Sequence, residues 1–361
     1  MILPRIQDRW PRKCLGPGDL NKKTILVVHQ SRMLTLLGHE KNIELLKRYA
    51  TEDRPAHAYL FSGRQGIGKK TAAFEFARMV NCPEFFNHAE TFECHTCKRI
   101  LSNAHPDIHL ELPDRNLIRI DAVRKILSFL KYPPIEGQYR IVIIDEAHLM
   151  NRSAQNAMLK TLEEPPPNRM IILVSSQPSS LLQTVRSRLR QISFGPLSEE
   201  HLRTLLSREE KLTEHQMETA LAMAAGSLER ARLKSSPENI QFRSSVISAI
   251  FEDKDTLYRD VMELSAEAGV EKSKTTDLLE IVSSVIRDAL VTNLGAESSL
   301  INSDYGSLIK RLSQNNSPSQ LMRVYDEVLR ASARLDLDVN LSRNLVLDVT
   351  FLKIESILTR I

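Results

Sequence analysis

The sequence contains no apolar run long enough to cross a membrane. A membrane-spanning helix needs roughly 18 or more consecutive apolar residues, and no stretch of this chain approaches that length. The apolar run Ile25–Val28 near the N-terminus is also too short for the core of a signal peptide. We therefore expect a cytoplasmic protein.

Cysteine is scarce as well, with four residues in 361, and three of the four cluster at Cys82, Cys94 and Cys97. So few cysteines exclude a disulfide-rich secreted fold and suit a reducing compartment. Clustered thiols in such a compartment indicate a metal site rather than disulfides.

The chain also lacks a strong excess of charge of either sign. Forty-nine Lys and Arg residues stand against 45 Asp and Glu residues, which leaves a formal net charge of +4. This excess is too small to indicate nucleic-acid binding by itself, so any DNA contact must come from local patches. A share of 42% apolar and 26% charged residues is typical of a globular protein, and 361 residues suffice for two or three domains.

A glycine-rich turn follows an apolar strand early in the chain. Ala58–Phe61 is apolar, Gly63, Gly66 and Gly68 follow it, and Lys69 opens an Ala-rich helix. Glycines let backbone N–H groups converge on an anion, the helix N-terminus adds positive potential, and a lysine reaches the outer phosphates. The spacing fits a phosphate-binding loop for ATP or ADP.

One position departs from this motif. Where a Ser or Thr hydroxyl would hold Mg²⁺, the chain has Lys70, and Thr71 comes one residue later. One step along a helix turns the side chain by about 100°, so Thr71 cannot simply take over the metal. The predicted nucleotide-binding residues are those of the loop and those directly after it: Gly63, Gly66, Gly68, Lys69, Lys70 and Thr71.

A second strand supports the interpretation as a nucleotide site. Ile141–Ile144 is an unbroken β-branched run, typical of a parallel strand buried on both faces, and Asp145 and Glu146 follow it. Open α/β sheets place ligands at the carboxyl ends of their strands. An Asp there can hold Mg²⁺ through water, and the Glu can polarise an attacking water. The alternative is an ordinary polar turn after a strand.

The clustered cysteines have the spacing of an incomplete zinc site. Two thiolates on the tight turn Cys94-x2-Cys97 can share a tetrahedral Zn²⁺, and Cys82 can supply a third ligand. No fourth cysteine lies nearby along the chain, so His88 and His95 are the candidates for the fourth ligand. The alternative is a degenerate site with free buried thiols and no metal.

Strands and helices alternate up to about Pro196, which predicts a parallel, three-layer α/β domain. Beyond it only helical periods occur, so the fold class expected is α/β plus all-α. We interpret three apolar stripes of the helical part as core: Leu278, Ile281, Val282, Val285 and Ala289; Leu321, Val324, Val328, Ala331 and Leu335; and Leu341, Leu345, Val349 and Leu352.

Three local features of the α/β part are also predicted. Residues 35–49 have near-helical spacing of apolar side chains, and Asp121 is expected to be the N-cap of a later helix. A short helix over residues 179–189 is expected to lead to the last strand.

Several motifs occur together in one order: HAYLFSGRQGIGKK, the cysteine knuckle, NAHPDIH, the acidic strand end, NAMLKTLEEPPP and TVRSRLR. This order resembles the bacterial clamp-loader AAA+ proteins over roughly residues 33–235. The resemblance implies three domains: an AAA+ P-loop domain over 33–197 with a cysteine-knuckle insertion at 81–100, a helical lid over 198–240, and a helical collar for oligomerisation over 241–361. Residues 1–32 show no sustained period and are expected to be a disordered extension.

In that family a Ser-Arg-Cys motif presents an arginine finger to nucleotide held by the neighbouring subunit. Ser187-Arg188-Leu189 occupies this place here, with Leu for Cys. A guanidinium suits the task because it is always charged and can fork onto phosphate oxygens. The alternative is that Arg186, Arg188 and Arg190 form a solvated basic helix end.

Other positions depart from the hydrolysing members of the family. Those members have Thr or Ser in place of Lys70, and a sensor Arg where this chain has Glu229, with Arg230 one residue off. The zinc module of the family has four cysteines, and the position of the second corresponds to Thr91. The polar residues 175–177, at the end of another strand, take the place of a first sensor.

The resemblance therefore implies a subunit that supports ATP-driven loading of a sliding clamp onto primed DNA. It implies that Arg188 and a scaffold are supplied to a neighbouring gamma/tau-type ATPase subunit, and that the chain hydrolyses little or no ATP itself. The other implied partners are a delta subunit, the sliding clamp and, through the complex, primed DNA. The rival interpretation is an independently active AAA+ ATPase of DNA repair or remodelling, in which Asp145 and Glu146 act on ATP in the same chain.

Overall fold

The structure is a computed structural model that describes residues 37–51, 55–83, 85, 94–209, 212–252, 257–296, 300–336 and 342–358. The described residues form two compact units, one within Met1–Glu209 and Gly226–Glu229, and the other within Glu210–Ala225 and Arg230–Ile361. The extension predicted over residues 1–32 lies outside the described residues. Within the described part, no helix is both long and apolar enough to span a membrane.

The first unit contains a parallel sheet with helices on both faces. Its strands are β1 (Ala58–Ser62), β2 (Ile108–Glu111), β3 (Arg140–Ile144), β4 (Arg169–Ser175) and β5 (Arg190–Ser193). Its helices are α1 (Glu40–Thr51), α2 (Lys69–Asn81), α3 (His95–Leu101), α4 (Ile120–Lys131), α5 (Arg152–Glu163), α6 (Gln183–Arg186) and α7 (Glu199–Glu209). The strand order is β2-β3-β4-β1-β5, and every pair is parallel. The predicted α/β fold is confirmed.

The three central strands, β1, β3 and β4, are buried along their whole length. Their sequences are nearly continuous apolar runs, which a strand covered on both faces requires. Phe61 packs with Phe76 of α2 on one face of the sheet, whereas Leu60 and Val142 pack with α4 and α5 on the other. Two separate apolar clusters thus make the unit three-layered.

The strand register brings the predicted site residues to one edge of the sheet. Ile144 pairs with Leu173, and the amide of Gly63 donates to the carbonyl oxygen of Ser175 over 3.3 Å. The phosphate loop, Asp145 and the polar residues after β4 therefore leave the sheet at the same carboxyl edge. This is the edge where open α/β sheets bind ligands.

Two helix starts differ from the sequence prediction. The first helix begins at Glu40 because Gly38 adopts a φ of 86°, outside the helical region. The N-cap of α4 is Arg119, and Asp121 lies in the first turn instead. The residue before Arg119 forms a β-bridge, so the chain stays extended up to that point.

The helix predicted over residues 179–189 is wrong. A 3₁₀ turn, Pro178–Ser180, and the single-turn helix α6 take its place. The side-chain oxygen of Gln155 accepts the amide of Leu182 over 2.7 Å, and Leu181 is buried between the two turns. A distant side chain thus binds a backbone donor, and the chain is extended where a continuous helix was expected.

The described elements of the second unit are helical, as expected. They are α8 (Glu214–Ala224), α9 (Leu228–Ser235, whose first two residues belong to the first unit), α10 (Pro237–Ile247), a π-helical turn (Ser248–Glu252), α11 (Leu257–Val270), α12 (Lys272–Asn293), a 3₁₀ turn (Ser303–Tyr305), α13 (Gly306–Asn315), α14 (Pro318–Asp336) and α15 (Arg343–Ile357).

Two of the three predicted apolar stripes, those of α12 and α14, lie in the core of this unit. The third prediction is wrong, because Leu345, Val349 and Leu352 are 57%, 38% and 46% exposed, while Leu341 lies outside the described residues. The buried face of α15 is formed by other residues: Val346, Leu347, Thr350, Phe351 and Ile354. Both faces of α15 are apolar, so the pattern could not select one. The packing of α15 against α11 and α14 determines which of its faces is buried.

Candidate functional site

The phosphate loop has the backbone geometry of an anion cradle. Gly63, Gly66 and Gly68 have φ values of 148°, 72° and 94°, which residues other than glycine rarely adopt. A Cβ at Gly63 would collide with the carbonyl oxygen of Phe194. Within the described part of the chain, the amides of Gly66, Ile67 and Gly68 have no acceptor, so they remain available to an anion.

Lys69 is directed into this loop. Its Nζ donates to the carbonyl oxygen of Arg64 over 2.5 Å, and the side chain is almost fully buried. Burial lowers the pKa of Lys69, whereas the carboxylates of Glu146, Asp145 and Glu229 act in the opposite direction. The lysine predicted to reach the outer phosphates therefore lies near three carboxylates.

Lys70 forms an ion pair with Asp145. The distance from Nζ to Oδ2 is 2.9 Å, and Asp145 is buried while Lys70 is half exposed. Asp145 is the carboxylate expected to hold Mg²⁺ at the end of β3. The ammonium group of Lys70 thus neutralises the carboxylate that was expected to hold Mg²⁺.

Glu146 makes contacts that the sequence did not predict. Its Oε2 accepts a hydrogen bond from the hydroxyl of Ser176 over 3.2 Å and lies 3.4 Å from Nε2 of His148. Glu146 also has a φ of 48°, in the left-handed region. The only sequence signal for His148 was its position two residues after Glu146, whereas Ser176 belongs to the polar group named as a first sensor.

Glu229 lies beside the phosphate loop. The amides of Leu228 and Glu229 donate to the carbonyl oxygen of Gly66 over 3.0 and 3.3 Å. A Cβ at Gly66 would lie 2.9 Å from Oε2 of Glu229, so the carboxylate is close to the cradle. Arg230, the displaced sensor candidate, forms an ion pair with Glu280.

These charges fit a bound magnesium–nucleotide poorly. The free amides and Lys69 fit phosphate oxygens, and Thr71 follows in α2. The cluster nevertheless combines two ammonium groups with three carboxylates, those of Asp145, Glu146 and Glu229. The pairing of Asp145 with Lys70 and the carboxylate of Glu229 beside the cradle both oppose the binding of a magnesium–nucleotide.

The three clustered cysteines converge as predicted. Sγ of Cys82 lies 3.3 Å from Sγ of Cys94 and 3.2 Å from Sγ of Cys97. A tetrahedral Zn²⁺ with bonds of about 2.3 Å needs sulfurs about 3.8 Å apart, so the group is close to the required geometry. Hydrogen bonds from the other two thiols lower the pKa of Cys94, whereas the pKa values of Cys82 and Cys97 are raised, so the close contact favours one thiolate among the three sulfurs. The residues therefore fit three of the four ligands of a zinc ion.

The fourth ligand is not among the described residues near this cluster. His95 is exposed and is not part of the group of converging ligand atoms. His88 and Thr91 lie outside the described residues. The structure thus does not bring His95 to the three sulfurs, and it does not describe His88.

Arg188 lies between α6 and β5 and is one third exposed. Its Nη1 donates to the carbonyl oxygen of Thr184 over 2.7 Å, and its Nη2 donates to Oε1 of Glu163 over 2.5 Å. Arg190 differs, because its guanidinium stacks on the ring of Tyr49, 3.5 Å from the ring centre. The three neighbouring arginines are thus not equivalent.

Comparison with known proteins identifies the family. The profile described as "DNA polymerase III, delta subunit" matches residues 38–198, and that described as "DNA polymerase III, delta subunit, C terminal" matches residues 237–356. DNA polymerase III subunit delta′ of Bacillus subtilis (strain 168) is 30% identical over 302 residues, which cover 82% of this chain and 91% of that protein.

Two further relatives agree with this assignment. Subunit delta′ of Escherichia coli (strain K12) is 29% identical over 304 residues, which cover 84% of this chain and 90% of that protein. Subunit tau/gamma of Haemophilus influenzae is 34% identical over 194 residues, which cover 53% of this chain but 28% of that protein. The match thus extends over nearly the full length of the delta′ proteins and over a smaller part of the tau/gamma protein. The chain belongs to the delta′ family of DNA polymerase III and is a clamp-loader subunit.

Proposed function

We propose that this subunit supports ATP-driven loading of the sliding clamp onto primed DNA by presenting Arg188 to ATP held by a gamma/tau-type neighbour. The observation that carries this proposal is the placement of Arg188 at the surface, just before the first residue of β5, with its guanidinium already oriented. A guanidinium delivered to the γ-phosphate stabilises the charge that develops in phosphoryl transfer. The test is the DNA-stimulated ATPase of the reconstituted loader with Arg188→Ala.

We also propose that the nucleotide site of this chain is weak or vestigial. Lys70 forms an ion pair with Asp145, the carboxylate that would hold the metal, and Glu229 adds negative charge beside the cradle. No described group replaces the hydroxyl that holds Mg²⁺ in hydrolysing members. The rival, an ATPase active in the same chain through Asp145 and Glu146, predicts turnover by the isolated protein that Glu146→Gln abolishes.

The helical part supports a role in assembly. We propose that residues 198–240 act as a lid and that residues 241–361 form a collar with neighbouring clamp-loader subunits. The outward face of α15 supports the collar, since Leu345, Val349 and Leu352 are exposed on it although the opposite face is apolar as well. Exposed apolar residues that line one face of a helix are typical of a surface that another protein covers.

Leu352→Glu is expected to weaken assembly with the other subunits by about tenfold to a hundredfold, because a buried leucine contributes about 1.5–3 kcal/mol. The stability of the isolated chain should hardly change, since Leu352 is 46% exposed in it. Gel filtration of mixed subunits measures the first quantity and thermal unfolding the second. Leu329→Glu on α14, 48% exposed, is the matched control. Equal weakening by both variants would contradict the collar face.

Zinc is proposed as the occupant of the cysteine cluster, with a fourth ligand from outside the described residues. Protein purified without chelators is expected to carry about one equivalent of Zn²⁺, since three converging thiols favour that ion. Cys94→Ser should reduce the zinc content to near zero, whereas Cys14→Ser should leave it unchanged. Elemental analysis of the purified variants is the measurement, and a content well below one equivalent in the original protein excludes the site.

The remaining partners follow from the same proposal. We place the subunit in the cytoplasm with a delta subunit, the gamma/tau-type ATPases and the sliding clamp, and we propose contact with primed DNA through the complex.

A further inference from the structure

We propose that Glu163 is a positioning residue for Arg188, holding the guanidinium so that its free N–H groups point to the neighbouring subunit. This inference rests on the proposed function, in which Arg188 acts on the ATP of that neighbour. The two residues are 25 positions apart in sequence and meet through an ion pair of 2.5 Å between Nη2 and Oε1.

The location of Glu163 is not explained by its own helix. It is the last residue of α5, and Pro165 follows shortly after. The C-terminus of a helix carries partial negative charge, so a carboxylate there is unfavourable. The last turn of α5 carries one cation, Lys160, and the fold brings Arg188 to Glu163 as a second that offsets this charge.

The guanidinium of Arg188 is held at two points. Nη1 donates to the carbonyl oxygen of Thr184 over 2.7 Å and approaches the hydroxyl of Ser187 at 3.5 Å, while Nη2 donates to Glu163. A guanidinium has five N–H groups. These bonds leave one N–H on Nε and one on Nη2 for oxygens of another molecule, so the finger can keep both holds while it binds phosphate.

The backbone of Arg188 is fixed as well. Its amide donates to the carbonyl oxygen of Val185 over 3.1 Å, and β5 begins two residues later, paired in register with β1. The part that remains free to move is thus the long side chain. An arginine loses considerable rotamer entropy when one conformation is imposed on it. Because Glu163 imposes that conformation before the neighbour binds, less entropy is lost at the transition state.

The test uses the reconstituted clamp loader and compares three variants of this subunit. Glu163→Ala is expected to lower kcat at the neighbouring site that Arg188 serves about threefold, the size expected when an exposed ion pair is lost, with KM for ATP unchanged. Glu163→Gln keeps an oxygen acceptor at the same place and should lose less. Glu164→Ala, the matched control at the next residue, should behave like the original protein.

A double-variant cycle separates positioning from a general structural effect. In the Arg188→Ala background, Glu163→Ala is expected to cause no further loss, because the residue acts through Arg188. The same threefold loss in that background would overturn the inference. An unchanged or increased kcat for Glu163→Ala would also overturn it, since an increase would mean that the carboxylate merely restrains the finger. If Arg188→Ala itself has no effect, the proposed function fails; if only the Glu163 variants have none, the positioning role alone fails.

Discussion

Replacing Arg188 by Ala is expected to lower ATP turnover about 10³-fold at the neighbouring site that this residue serves. The reason is electrostatic, because a guanidinium at the γ-phosphate neutralises charge that increases in the transition state. The fold of this subunit should not change, since Arg188 is one third exposed and bonds to a surface carboxylate. Assembly of the loader should therefore be retained while one site becomes slow.

Rapid-quench measurement of ATP hydrolysis after addition of primed DNA tests this expectation. The amplitude of the ATP-hydrolysis burst should fall by the amount that one site contributes. The rate of clamp loading should fall in parallel. Arg186→Ala, which removes an exposed arginine two residues away, serves as the control and should leave the burst intact. An undiminished burst with Arg188→Ala would count against the finger.

The second large effect is expected from the phosphate loop. Lys70→Thr combined with Glu229→Arg should tighten the binding of ADP or ATP at least about 100-fold in the presence of Mg²⁺, which corresponds to roughly 2.7 kcal/mol. The first change releases Asp145 from its 2.9 Å ion pair and supplies the missing hydroxyl. The second replaces a negative charge beside Gly66 with a positive one. Charges a few ångströms apart near a protein surface interact by about 4 kcal/mol, so the predicted gain is moderate.

Titration with a fluorescent nucleotide, with and without EDTA, measures this gain and its dependence on metal. Lys70→Arg keeps a cation next to Asp145 and should show no gain, which makes it the matched control. If the double variant binds no better than the original chain, the ion pair is not what weakens the site. If the original chain already hydrolyses ATP and Glu146→Gln abolishes this activity, the rival function is the correct one.

The strands and the phosphate loop could be predicted because residues adjacent in sequence restrict the backbone conformation there. The β-branched run Ile141–Ile144 is typical of a strand buried on both faces, and together with Arg140 it forms β3. The glycines of the phosphate loop adopt the left-handed φ values that few other residues tolerate. In each case the residue type restricts the backbone directly.

Periodicity was less informative where a helix is apolar on more than one side. The stripe of Leu345, Val349 and Leu352 has the same spacing as a core face, and it lies at the surface. Gln155, distant in sequence, likewise interrupted the helix expected over residues 179–189. The choice between such alternatives depends on neighbours that a local window does not contain.

The amino-acid sequence by itself determined the α/β and helical parts, the phosphate loop, the lysine in place of a metal-binding hydroxyl, and the position of Arg188. The tertiary structure alone decided which charged groups meet: Lys70 with Asp145, Glu229 with the loop at Gly66, and Glu163 with Arg188. The physical reason is that backbone conformation follows from residues adjacent in sequence, whereas electrostatic interactions depend on distance in space, which is set when the chain packs.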